Sequence, residues 1–189
     1  MGKSVALVAL ATAGVALAGC QSGTTNTPDP VVATTADQSG SAGSTPATPA
    51  GKATIGSTIT LAGNDPGAQV AVTVVTVANP AKGASDYITP KAGNKYVAVQ
   101  VRLRNTGRAG YDDSPSNGAK VVDVQGQQYE ATTDDITAGP SLPADTKIAP
   151  GGMVLGFLVF EVPATVRLSG FQFTLDSGFA DQTGEWTLA

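Results

Sequence analysis

Valine alternates with small and polar residues along much of this chain, and the alternation marks out strands. In Tyr96–Asn105 (YVAVQVRLRN), Val97, Val99, Val101 and Leu103 fall on one face, while Gln100, Arg102 and Arg104 fall on the other. That is the period of two of a half-buried strand. Gln69–Val77 (QVAVTVVTV) keeps Val70, Val72 and Val74 in phase, then slips to Val75 and Val77. A slip of one residue predicts a β-bulge, because without it the later valines would face water. Val166–Leu175 (VRLSGFQFTL) slips in the same way near Gly170, between Val166/Leu168 and Phe171/Phe173/Leu175.

The other apolar segments fit the same scheme. Ile55–Leu61 opens the series and ends at a turn cluster, Ala62-Gly63-Asn64-Asp65-Pro66-Gly67. Lys120–Val124 and Gln127–Thr132 flank Gln125-Gly126 as a hairpin. Met153–Pro163 (MVLGFLVFEVP) is apolar on both faces, which predicts a central strand covered on both sides and stopped by Pro163. Glu185–Leu188 (EWTL) is expected as a last edge strand. No segment keeps a helical period with caps. Seven to nine short strands over residues 54–189 predict an all-β fold, an antiparallel immunoglobulin-like β-sandwich. Its predicted core includes Val72, Val99, Val101, Leu103, Phe160 and Phe173.

The N-terminal part has a different texture. A short cationic start, Met1-Gly2-Lys3-Ser4, precedes an apolar run from Val5 to Gly19. The run suits the core of a secretory signal and falls short of the ~20 residues that span a bilayer. From Gln21 to about Ala53, Ser, Thr, Gly, Pro and Ala dominate. Such a segment buries too little apolar surface to offset its ordering entropy, so a disordered tether is expected. A coil of that length reaches roughly 30 Å. The expected organisation is a signal over 1–19, a tether over 20–53 and a domain over 54–189.

Cys20 is the one cysteine in the sequence, and it follows the apolar run directly. Leu17-Ala18-Gly19-Cys20 resembles the lipobox of bacterial lipoproteins. The resemblance implies lipid transfer to the Cys20 sulfur, cleavage between Gly19 and Cys20, and anchoring on the outer face of a membrane. Two acyl chains hold stably where one holds marginally. With Cys20 so used, the domain has no disulfide and must rely on its core.

A second resemblance covers roughly Ile55–Leu175. The order NKYVAVQVRLRN (Asn94–Asn105), VDVQGQQYEA (Val122–Ala131) and IAPGGMVLGFLVFEVP (Ile148–Pro163) is similar to an uncharacterised Ig-like lipoprotein domain family of Gram-positive bacteria. The secreted immunoprotective antigen of mycobacteria is among its structural relatives. The resemblance implies a β-sandwich at the cell surface and carries over no site residues.

Chemistry is thin. The chain has no histidine and a formal net charge of −4, made one unit more negative by loss of Lys3 with the leader. Triads that relay a proton through imidazole are excluded, as are zinc sites built on His or several Cys. The charge gives no general attraction to nucleic acid. No catalytic set, metal site or cofactor is expected. Asp112-Asp113 and Asp134-Asp135 read as turn aspartates, or as a carboxylate pair for glycoside hydrolysis. Such sugar chemistry would want aromatic platforms, and few exposed aromatics are expected. Asp112–Gly118 (DDSPSNG) fails as an EF-hand: counted from Asp113, Gly118 is sixth, but Pro115 takes the third position and Val124 the twelfth. An irregular calcium site is the remaining functional reading of that loop. Gln100, Arg102 and Arg104 form either a solvated outer face or a ligand-binding stripe for an anionic partner such as a wall polymer. The expected function is a lipid-anchored surface module that binds an envelope protein or polymer. An accessory envelope enzyme and a passive spacer are its rivals.

Overall fold

The computed structural model describes residues 53–188. The expected signal and nearly all of the expected tether, with Gly19 and Cys20, lie outside the described residues. The strands are β1 (Ala53–Thr54), β2 (Thr58–Ala62), β3 (Gln69–Ala81), β4 (Asn94–Asn105), β5 (Tyr111–Asp113), β6 (Ala119–Asp123), β7 (Gln128–Thr132), β8 (Thr146–Ile148), β9 (Met153–Pro163), β10 (Leu168–Thr174) and β11 (Thr183–Thr187).

They form two layers that share one strand. The hydrogen-bonded order is β1-β11-β10-β6-β7-β9-β4-β3-β2. β7 is the corner: Lys120, Val121 and Val122 pair with its first half, and Val159 and Phe160 pair with Ala131 and Thr132 in its second. The free flanks of the layers meet on the other side. There the Trp186 indole donates to the Ser57 carbonyl (3.0 Å), and the Ala62 N–H donates to Gln182 Oε1 (2.9 Å). The result is the all-β, immunoglobulin-like sandwich expected from the pattern. All but one of the strand pairs are antiparallel; β1 lies parallel to β11, which makes the sheet mixed.

The core joins the layers. All six core residues named above are fully buried. Phe160 of one layer meets Phe171 of the other edge to face (6.2 Å), and Phe171 also packs on Trp186 (5.7 Å). Both phase slips are bulges. The register shifts between Val74 and Thr76, so that Val77 packs against the core opposite Val99, and again between Leu168 and Gly170. The Ser169 hydroxyl uses the second irregularity to donate to the Asp123 carbonyl (2.8 Å).

Four expectations change. Ile55 is exposed, and pairing in its segment starts only at Thr58. Val166 sits in a turn, its N–H bonded to the Pro163 carbonyl, so the strand begins at Leu168. The Glu185–Leu188 segment is no edge, because β11 lies between β10 and β1. β9 is covered on both faces only over its later half. Phe157 and Val159 point away from the main core into a small second cluster with Tyr96, Ala98 and Ile136, roofed by the neighbouring loops. Met153 and Leu155 have no such roof and are 61% and 48% exposed.

One segment escaped the pattern altogether. β5 and β8 form a separate two-stranded ribbon that feeds Tyr111 and Ile148 into the main core. Asn105, at the end of β4, ties this region together. Its side-chain amide donates to the carbonyls of Ala109 (2.8 Å) and Ile148 (2.9 Å), and its Oδ1 accepts the Gly107 N–H (2.9 Å). Among the described residues no helix is long and apolar enough to cross a membrane.

Candidate functional site

Arg102 and Arg104 lie where the alternation put them, exposed on the outer face of the layer holding β2, β3, β4 and β9. Register sets their neighbours. One row across the layer reads Thr58, Thr73, Arg102, Leu155, and the next reads Thr60, Ala71, Arg104, Met153. Each guanidinium therefore stands beside an exposed apolar side chain. Among the described residues the only ion pairs are those of Lys147 with Asp112 (2.7 Å) and Asp145 (3.5 Å), so both arginines lack a carboxylate partner. Gln100, the third member of the stripe, is half-buried and lies opposite Phe157, where the second cluster begins. The stripe is thus two open cations long.

The four candidate carboxylates are engaged within the fold and do not converge. Asp112 pairs with Lys147, whose hydrogen bond holds the Asp112 carboxyl below the ordinary range. Asp113 accepts from Ser114 N–H (2.7 Å), Ser177 N–H (3.0 Å), Ser177 Oγ (2.6 Å) and Tyr111 Oη (3.3 Å). Burial first, then the charge and hydrogen bond of Asp113, raise the Tyr111 phenol well above its usual value. Asp134 accepts from Thr132 Oγ1 (2.9 Å), and Asp135 from Ser141 Oγ (3.0 Å). Among the described residues no group of three or more carboxylates is placed to hold a metal ion. In the Asp112–Gly118 loop, the oxygens that a calcium ion would need are the ones Asp113 uses to fasten Ser177.

The opposite layer holds a feature that the sequence pattern did not reveal. On its outer face β6, β7, β10 and β11 enclose a shallow polar depression of about 330 Å³. Asn117, Gln128, Gln172, Thr174, Ser177 and Thr183 supply amides and hydroxyls, with Lys120 and Glu130 facing each other across β6 and β7. The side chains order one another. Gln128 Nε2 donates to Gln172 Oε1 (2.9 Å), Gln172 Nε2 donates to Glu185 Oε1 (2.9 Å), and the hydroxyls of Thr174 and Thr183 are 2.7 Å apart. Gly118 lets the wall close: the Thr174 N–H donates to its carbonyl (2.9 Å), and a Cβ there would strike the Thr174 carbonyl.

The aromatic inventory also differs from expectation. Phe179 is 82% and Tyr87 97% exposed. Phe179 directly follows Ser177 and Gly178, two residues of the depression's lining.

Comparison with known proteins places the fold in company. Over 72% of its length the chain superposes on 99% of the yjhA protein of Bacillus subtilis, at 15% identity and a TM-score of 0.51. It superposes equally on 95% of MPT63, a secreted protein of Mycobacterium tuberculosis, over 72% of its own length, again at 15% identity and a TM-score of 0.51. At that identity the likeness speaks for the fold alone. No curated protein matches the chain. A family model does match, over residues 65–183, from the turn before β3 to the first residue of β11. By that match the chain belongs to the family described as a domain of unknown function, DUF4352.

Proposed function

We propose that this protein is a lipid-anchored module of the cell surface that binds an anionic envelope component through Arg102 and Arg104. The observation that carries the reading is the isolation of these two cations. They are exposed, lie two residues apart on one strand face, and have no carboxylate partner among the described residues of a protein of net charge −4. A two-residue step along a strand spaces their Cβ atoms by roughly 7 Å, a span over which two anionic groups of a polymer can be met together. Exposed Met153 and Leu155 beside them offer apolar contact to the same partner. The engagement of Asp112, Asp113, Asp134 and Asp135 in structural bonds favours binding over turnover. The Leu17–Cys20 box and the leader support export and anchoring, and the occurrence of a similar fold in MPT63, a secreted protein, agrees with export.

The test has two arms. Cys20→Ser should release the mature protein from the membrane fraction of expressing cells; unchanged membrane retention would defeat the anchoring. Charge reversal of both arginines should abolish salt-sensitive binding to a soluble polyanion such as polyphosphate. Binding that survives the double reversal would remove the surface from consideration.

A further inference from the structure

We infer that the polar depression on the β6-β7-β10-β11 face is a second binding site, and that its ligand is an uncharged glycan segment stacked on Phe179. The surface lies on the other layer from Arg102 and Arg104, and its chemistry is different. The charges in its lining, Lys120 and Glu130, cancel, so the site offers no net attraction to a polyanion. What it offers instead is a cluster of groups that both donate and accept. Three side-chain amides, from Asn117, Gln128 and Gln172, and three hydroxyls, from Thr174, Ser177 and Thr183, line one depression. Hydroxyl-rich ligands require that pairing, since each sugar hydroxyl both gives and takes a hydrogen bond.

The groups are set before any ligand arrives. Gln128, Gln172 and Glu185 form a chain of bonds across three strands, which fixes the amide planes and lowers the ordering cost of binding. Phe179 supplies the apolar platform that the ring face of a sugar needs, and its backbone is tied down although the residue is exposed. The turn before it puts two successive non-glycine residues, Asp176 (φ 54°) and Ser177 (φ 55°), in the left-handed region, a conformation that persists only when the surroundings impose it. Ser177 is clamped by Asp113 through its N–H and its hydroxyl. Asp176 accepts the Asn64 N–H (2.6 Å), and Asn64 Nδ2 donates to the Phe179 carbonyl (3.2 Å). Three chain segments thus combine to hold the turn that carries exposed Phe179, one residue beyond Gly178 of the lining.

The experiment is a titration of the full chain with a panel of neutral tetrasaccharides, β-1,4-linked N-acetylglucosamine, α-1,4-linked glucose and α-1,6-linked mannose, followed by amide chemical shifts. At least one member is expected to give saturable shifts at Lys120, Gln128, Gln172 and Thr183. Phe179→Ala and Gln172→Ala, both at positions outside the core, should each weaken binding about tenfold or more, as loss of an anchoring group does. Tyr87→Ala and the charge reversals of Arg102 and Arg104 should leave it unchanged, which separates this site from the anionic one. No saturable shift with any member at these amides, or a Phe179→Ala variant that binds as tightly as the parent, would overturn the inference.

Discussion

Asn105 is the residue whose replacement tests the packing argument most sharply. It is 1% exposed, and all three hydrogen-bonding positions of its side chain that face the loops are filled at 2.8–2.9 Å. Asn105→Ala removes three bonds of about 1 kcal/mol each and strands the carbonyls of Ala109 and Ile148, for a loss of about 3 kcal/mol. At about 2.1 cal/mol/K of unfolding entropy per residue, a domain of this size loses roughly 10 °C in Tm. Asn105→Asp is nearly isosteric and more informative. An ionised carboxylate would set an oxygen against two carbonyl oxygens, so the folded state favours the protonated acid and raises its pKa above the unfolded value. A raised folded pKa means that the favourable contribution is present below the ordinary aspartate value of ~3.9 and is lost as pH rises through the folded one. At neutral pH the Asp variant should therefore be less stable than the Ala variant, and the order should narrow or reverse at acid pH. Thermal unfolding by circular dichroism across pH reads both effects. An Asp variant as stable as the parent at pH 7, or an Ala variant within about 1 kcal/mol of it, would refute the account of this junction.

Two further outcomes follow from the same geometry. Asp112 is held below the ordinary range chiefly by the Lys147 hydrogen bond, and Glu161 by the Asn94 amide and the Lys91 N–H. At Asp123 burial opposes ionisation, but the Gln127 N–H, Tyr129 hydroxyl and Gln125 N–H together outweigh it. Depressed folded pKa values give stability that is present above the unfolded values and lost as pH falls through the folded ones, so Tm should decline below about pH 4, less steeply in Glu161→Gln. Trp186→Phe should cost about 2 kcal/mol in chemical denaturation, since it leaves a void beside Phe171 and frees the Ser57 carbonyl; a loss below about 0.5 kcal/mol would mean that the flank between β11 and β2 closes without the indole.

The sequence carried most of the sandwich because its long strands state their faces openly. β3, β4 and β10 alternate over enough residues that even a one-residue slip, at Val75 or near Gly170, is visible and corresponds to a bulge. Arg102 and Arg104 followed from the same periodicity. β5 and β8 did not, since three residues of mixed polarity have no measurable period. The cover over Phe157 was equally hidden, because it comes from Ile136 and Ile88 in loops with no pattern of their own. The polar depression depends on register: Gln128, Gln172 and Glu185 look like ordinary outward-facing residues until three strands align them. Asp113 was visible as chemistry but not as a clamp, its partner Ser177 being 64 positions away.

The parallel seam between β1 and β11 couples the two extremities of the domain. Ala53 sits opposite Trp186, and Thr54 opposite Thr187, each pair about one strand spacing (~4.8 Å) apart; because the two strands are parallel, the chain enters the seam at one end and leaves it at the other. Ala53 and Thr54 must wait for Trp186 and Thr187, from the other end of the domain, before the seam can zip. Relinking 188 to 53 therefore needs a connection long enough to cross back along the seam rather than a tight turn; with such a link, opening the chain at Gln125-Gly126 should yield a permuted molecule with the same interior.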